Sequence, residues 1–277
     1  MNRAYGIAFV LLLAVGGGLL WWRHQRSAAE VVAAPAPTVA PAAPPPAAAP
    51  PAAPAIRHPL GAASAGGLPS LDSSDAYVEN ALVELLGHKK IRAFLHLDGA
   101  VRRFVATVDN LATGDAPASL WPVQTTAGRF DTDARGGGLS IGAHNAERYA
   151  PFVRFVDEID ARRAVAVYLR VYPLLQQAYE DLGYPGKYFN DRVVEVIDNL
   201  LATPMPAGPI AVKRFVADGG TSRGASRGAS DGALYVFADP ALEASPAGQK
   251  ILLRMGSDNA APLLAKLREI RALIVAR

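Results

Sequence analysis

From Leu68 onward, apolar residues recur mainly every three or four positions, the spacing of a helix face. In YVENALVELLG, Val78, Ala81, Leu82 and Leu85 share one stripe and Gly87 supplies a stop. In LDGAVRRFVATVDNLA, Leu97, Val101, Phe104, Val105, Val108 and Leu111 do the same. Phe189, Val193, Val196, Ile197, Leu200 and Leu201 predict a helix that ends before Pro204. Leu263, Leu267, Ile270 and Ile274 predict a last one. Between about Asn145 and Asp181 apolar residues occupy more than one face, as in a buried central helix. Pro151 suits its first turn, and Pro173 is expected to kink it or end it one turn early.

Strand patterns are few. Residues 209–217, PIAVKRFVA, and 233–238, ALYVFA, are expected to pair as a hairpin. Their connection, 218–232, repeats SRGA without an apolar anchor and reads as a mobile loop. A third short strand is expected near 128–133. The fold class is therefore mainly α, a helical domain carrying a small β-hairpin or short antiparallel sheet.

The first quarter of the chain has another pattern. Ala4 to Trp22 gives 19 uncharged residues, close to the ~20 that cross a bilayer core. Trp21 and Trp22 fall where an interfacial belt would lie, ahead of Arg23, His24 and Arg26. This predicts a single retained transmembrane helix over 1–26, in preference to a signal peptide cleaved near Ser27-Ala28-Ala29, because the apolar run is long for a leader. From Ala33 to Ala55 every residue is Ala or Pro except Thr38 and Val39. Such a stretch has nothing large to bury, so 27–67 is expected to be a disordered spacer; as polyproline II, 33–55 would reach roughly 70 Å. The folded domain is then 68–277. Arg3 on one side of the span is set against Arg23 and Arg26 on the other, so the charge rule barely decides orientation. The spacer favours a domain exported to the periplasm, tied to the inner membrane. A cytoplasmic-facing adaptor is the alternative.

Composition removes several functions. There is no Cys, hence no disulfide, thiolate metal site or thiol catalysis. The formal charge is +3, but Arg3, Arg23, Arg26 and Arg57 against Glu30 account for all of it. Removing these from totals of 28 cations and 25 anions leaves 24 of each after Leu68, so the domain lacks the excess that nucleic acid demands. Histidine is sparse, with His88, His96 and His144 in the domain, and no metal or other cofactor is expected. GASRG and GASDG in the 218–232 loop match G-x-S-x-G formally, but a nucleophile elbow needs a strand before it and a helix after it. Ser257-Asp258-Asn259 stands without the S-x-x-K and K-T-G elements its chemistry needs, and reads as a helix cap.

Two stretches keep some chemical promise. RFVATVDNL (103–111) and RVVEVIDNL (192–200) align without gaps, each with Arg six residues before Asp-Asn. Asp109 and Asp198 would suit the paired carboxylates of a hydrolase if they faced one cleft. The bland alternative is two solvated helix ends. In GYPGKYFNDR (183–192), Gly183 ends a helix, Tyr184-Pro185-Gly186 is turn chemistry, and Asp191 suits the first turn of the next helix. Tyr184, Tyr188, Asn190, Asp191 and Arg192, with Arg103, are left as a candidate partner-binding surface.

YPLLQQAYEDLGYPGKYFNDRVVEVIDNLLATP (172–204) resembles an uncharacterised bacterial family, domain of unknown function 3014. RRFVATVDNLA (102–112), NAERYAPFV (145–153) and FADPALEASPAGQKILLRMG (237–256) fit the same resemblance, which covers nearly all of 68–277. It implies an N-terminal membrane anchor, a Pro-rich spacer and this domain, and carries no reaction, ligand or catalytic residue. The leading expectation is a non-enzymatic membrane-anchored envelope protein that touches the bilayer through its N-terminal helix and binds a protein or cell-wall partner.

Overall fold

The computed structural model describes residues 55–61, 66–135, 137–215, 226–227 and 234–275. The expected anchor and the Ala/Pro stretch up to residue 54 lie outside these, as does most of the 218–232 loop. Among the described residues no helix is long and apolar enough to cross a membrane.

The domain is mainly helical with a small antiparallel sheet. Its described helices are α1 (Asp75–Leu86), α2 (His88–Phe94), α3 (Ala100–Leu111), α4 (Ala150–Asp157), α5 (Ala161–Asp181), α6 (Phe189–Leu201), α7 (Pro240–Glu243), α8 (Ala247–Met255) and α9 (Ser257–Val275). The strands are β1 (Thr132–Arg135), β2 (Gly138–Ile141), β3 (Ala211–Arg214), β4 (Ser226–Arg227) and β5 (Leu234–Phe237).

α5 is the hub. Val165, Val167, Tyr168, Val171, Leu175 and Ala178 are buried on several sides, and α3, α9 and α1 pack around it. The single helix expected over 145–181 is instead three pieces: a 3-10 segment (Ala143–Arg148), α4 and α5. The break before α5 has a local cause, for the Asp160 carboxylate accepts the Arg163 backbone N–H at 3.0 Å and caps a new helix. Pro151 does sit in the first turn of α4. Pro173 does not end α5, which continues to Asp181. The missing hydrogen bond costs about 3 kcal/mol, and the burial of Leu174, Leu175 and Ala178 just beyond it offsets that cost.

The predicted β3–β5 pairing forms, with Val212 opposite Phe237 and Arg214 opposite Tyr235. The sheet is larger than the pattern suggested, in the order β1-β2-β3-β5-β4. The strand expected near 128–133 is β1, displaced toward 135, and β2 folds back on it with Thr132 opposite Ile141. Within the 218–232 loop, Ser226 and Arg227 pair with β5. Phe130, Val212, Tyr235 and Phe237 form a small second core with Leu253 of α8. Its neighbours on α8, Leu252 and Met255, belong to the main core. That short helix therefore joins the two bodies.

Candidate functional site

The junction between α5 and α6 is built as the turn residues demand. Lys187 N–H donates to the Tyr184 carbonyl at 3.1 Å, Pro185 presets the first central φ, and Gly186 takes φ 74° at the second. Phe189, fully buried, then opens α6 with its ring edge-on to Phe104 at 6.0 Å. A polar relay behind the turn fixes it to α5. Gln176 donates to the Lys187 carbonyl at 2.8 Å and accepts the Phe189 N–H at 2.8 Å. Tyr172 OH donates to Gln176 and accepts the Asn190 N–H, both at 3.1 Å. Tyr168 OH donates to the Asn190 side-chain carbonyl at 2.9 Å. Burial pushes the Tyr168 and Tyr172 hydroxyls well above the ordinary tyrosine range, so both stay protonated donors.

What this turn grips is the chain's own residues 55–60, the end of the stretch expected to be spacer. Asp191 accepts two consecutive backbone N–H groups, Arg57 at 3.0 Å and His58 at 2.7 Å. Asn190 Nδ2 donates to the His58 carbonyl at 2.9 Å, and Tyr188 OH accepts the Leu60 N–H at 3.0 Å. Leu60 packs on the main core, whereas Ile56 is 54% exposed. The hold is thus mostly on the main chain, with one apolar anchor.

Beside this strap lies a cavity of about 390 Å³. The strap supplies Ala55 and Arg57 to its wall, and the domain supplies Asp109, Tyr179, Tyr184, Lys187, Arg192 and Glu195 among others. Asp109 is the ionic centre. Its Oδ1 accepts Arg192 Nε at 2.9 Å and its Oδ2 accepts Tyr184 OH at 2.8 Å. Arg192 Nη2 also reaches the Asp109 backbone carbonyl at 2.8 Å, and Nη1 reaches Glu195 at 2.8 Å. The Tyr184 ring stacks on Tyr179 at 4.6 Å, with Lys187 Nζ 5.0 Å from its centre.

Five of the residues singled out from sequence, Tyr184, Tyr188, Asn190, Asp191 and Arg192, do gather here with Asp109. Asn190 is fully buried and acts through its amide. Arg103 does not join them: its guanidinium donates to the carbonyls of Asp98 and Ser119, both at 2.8 Å. Asp198 is elsewhere too, paired with Arg271 of α9, whose Nη2 lies 2.9 Å from Oδ2. The two matching Asp-Asn units therefore face different partners, and the ion pair formed is a crossed one, Arg192 of the second unit with Asp109 of the first. Among the described residues no group of three or more His, Asp or Glu is placed to hold a metal ion.

Sequence reasoning missed Tyr179, Lys187, Glu195 and the strap. Tyr172, Gln176 and Tyr179 recur at helical spacing just before the turn, which was a usable signal. The strap had none, since a main-chain contact constrains no side chain.

The arrangement defines a class: a helical domain with a polar groove at a helix entrance, gripping a bent stretch of backbone. Residues 100–271 match the family described as protein of unknown function (DUF3014), and the chain belongs to that family. The matched span includes Asp109 and the whole 183–192 turn but not the strap. No curated protein and no solved structure matches this chain.

Proposed function

We propose that the domain is a non-enzymatic binding module that takes a short, bent polypeptide segment across the α6 entrance, at the end of a tether from a membrane. The observation that carries the reading is the grip of Asp191, Asn190 and Tyr188 on the main chain of residues 57–60. A carboxylate on two successive N–H groups turned to one side, and an amide on the carbonyl that follows them, hold a bent main chain without reading its side chains, as modules do that recognise peptides through the main chain. The neighbouring cavity, with Arg192, Lys187 and Glu195 on its wall, would read side chains. In the resting chain the strap occupies the groove, and a partner's segment exchanges with it. The 19 uncharged residues at 4–22 and the Ala/Pro stretch support tethering to a membrane and projection into the cell envelope.

The absence of native Cys makes a clean test available. With a fluorophore on Ala55→Cys in the full chain, a synthetic AIRHPLG peptide should displace the strap and shift the signal. The same peptide N-methylated at its Arg and His should fail. Equal displacement by both peptides would sink the main-chain reading. A reporter fused after Arg277 decides the side of the membrane, and a cytoplasmic result would replace the envelope partner with a cytoplasmic one.

A further inference from the structure

A second cavity, of about 720 Å³, opens where the helical body meets the sheet, between α8, the start of α4 and the 115–130 loop. Its size is within the range of small-molecule sites. Trp121, Tyr149, Phe152 and Ile251 line it and are only half-buried, so they offer apolar surface to an occupant. Its charges are unbalanced. Arg129, Arg148, Lys250 and Arg254 line it, against Asp115 as the acidic lining residue.

The cations are built into the wall. Lys250 and Arg254 are one turn apart on α8, 4% and 7% exposed. Lys250 Nζ donates to the carbonyls of Gly114 and Glu243 at 3.3 and 3.2 Å, and stands 3.5 Å from the Glu243 carboxylate. The Arg254 guanidinium lies 4.6 Å from the centre of the Phe237 ring. Arg148 spreads over the carbonyls of Ala127 and Gly128 and the Asn145 side chain. Burial lowers the Arg254 pKa, which the Glu243 charge opposes, so the protein tolerates these charges at a cost. Even with Glu243 counted, positive charge predominates. A concave, low-dielectric wall focuses such a field on whatever enters. Exposed Arg129 makes no ion pair or hydrogen bond among the described residues.

We propose that this cleft binds a small organic acid. Its carboxylate or sulfonate would be held at Arg129 above Lys250 and Arg254, with a flat aromatic or aliphatic body against Trp121, Phe152 and Ile251. The size of the cavity and its mixed wall of apolar surface and cation favour this occupant over a bare anion, which would leave the apolar surface uncovered.

The test is equilibrium dialysis of the full-length protein in zwitterionic nanodiscs, with empty nanodiscs as blank. The probes are 2-naphthoate and its uncharged isostere 2-naphthamide. Saturable uptake of naphthoate below about 1 mM is expected, with naphthamide about tenfold weaker. Arg129→Glu should weaken naphthoate about tenfold and leave naphthamide unchanged. Ala118→Trp, an exposed substitution at the cleft lining, should weaken both without shifting the thermal midpoint. Equal uptake of the two probes, full uptake by Arg129→Glu, or no saturable uptake of naphthoate would each overturn the proposal.

Discussion

Asp191→Ala should release the strap without unfolding the domain. Holding six residues, 55–60, costs roughly 1 kcal/mol each in backbone entropy, somewhat less at Pro59, whose φ is already fixed. Against about 5–6 kcal/mol stand two hydrogen bonds to the Asp191 carboxylate. At partly exposed positions these contribute about 1.5 kcal/mol each, the low end for a charged acceptor. The Asn190 and Tyr188 bonds add about 1 kcal/mol each, and half-buried Leu60 about 1–2 kcal/mol. The sum leaves the strap closed by only ~1 kcal/mol. Losing about 3 kcal/mol therefore shifts the open-to-closed ratio roughly a hundredfold. Asp191 also sits in the first turn of α6, where its charge contributes another ~0.3–1 kcal/mol, so the melting point should fall by only a few degrees. The assay is amide hydrogen exchange. Protection at Arg57, His58 and Leu60 should drop to the level of a free peptide, while Val193–Leu200 keeps its rates. Unchanged protection at Arg57 and His58 would refute the clamp. Loss of protection throughout α6 would show that Asp191 serves the helix rather than the strap.

Further outcomes follow from the same contacts. Arg192→Ala and Asp109→Asn should each cost about 2–4 kcal/mol, because the side chains are 17% and 11% exposed and either loss strands the other partner. A double-mutant cycle in urea should return a coupling of about 1–3 kcal/mol, and additive losses would mean the pair does not act as one. Gly248→Ala should destabilise by about 1–3 kcal/mol despite Ala's better helix propensity. The new Cβ would sit 2.5 Å from Leu200 Cδ2 and 2.9 Å from Leu111 Cδ2; an unchanged urea midpoint would mean that this contact relaxes freely. Alkaline titration tests the buried tyrosines. Tyr168 and Tyr172 are raised in the folded state by burial, so above pH ~10 the unfolded chain loses their protons while the folded one keeps them. Stability is then complete below pH ~10 and falls above it, by up to about 1.4 kcal/mol per pH unit for each tyrosine. Tyrosinate absorbance at 295 nm should report these two ionising only with unfolding, and their ionisation ahead of unfolding would contradict the buried relay.

The apolar stripes of α1, α3, α6 and α9 were enough to locate those helices, because a periodic face must be buried whichever neighbour covers it. The 183–192 turn was equally legible, since Gly183, Pro185 and Gly186 answer to backbone sterics alone. Five of its residues do lie together, yet the segment they hold was invisible: Asp191 and Asn190 contact main-chain atoms that every residue shares. α5 reads through Pro173 because burial beyond the proline outweighs one lost hydrogen bond, a balance set by neighbours distant in sequence. The matched units at 103–111 and 192–200 make the division plainest. Their local sequences specified two similar helices, each carrying Asp-Asn near its end. Only packing then gave Asp109 to Arg192 and Tyr184 beside a cavity, and Asp198 to Arg271 on an exposed helix face. Short-range patterning fixes where a helix runs and which face it buries. The partner a charge finds depends on which helices the fold brings alongside, and that is decided by the whole chain at once.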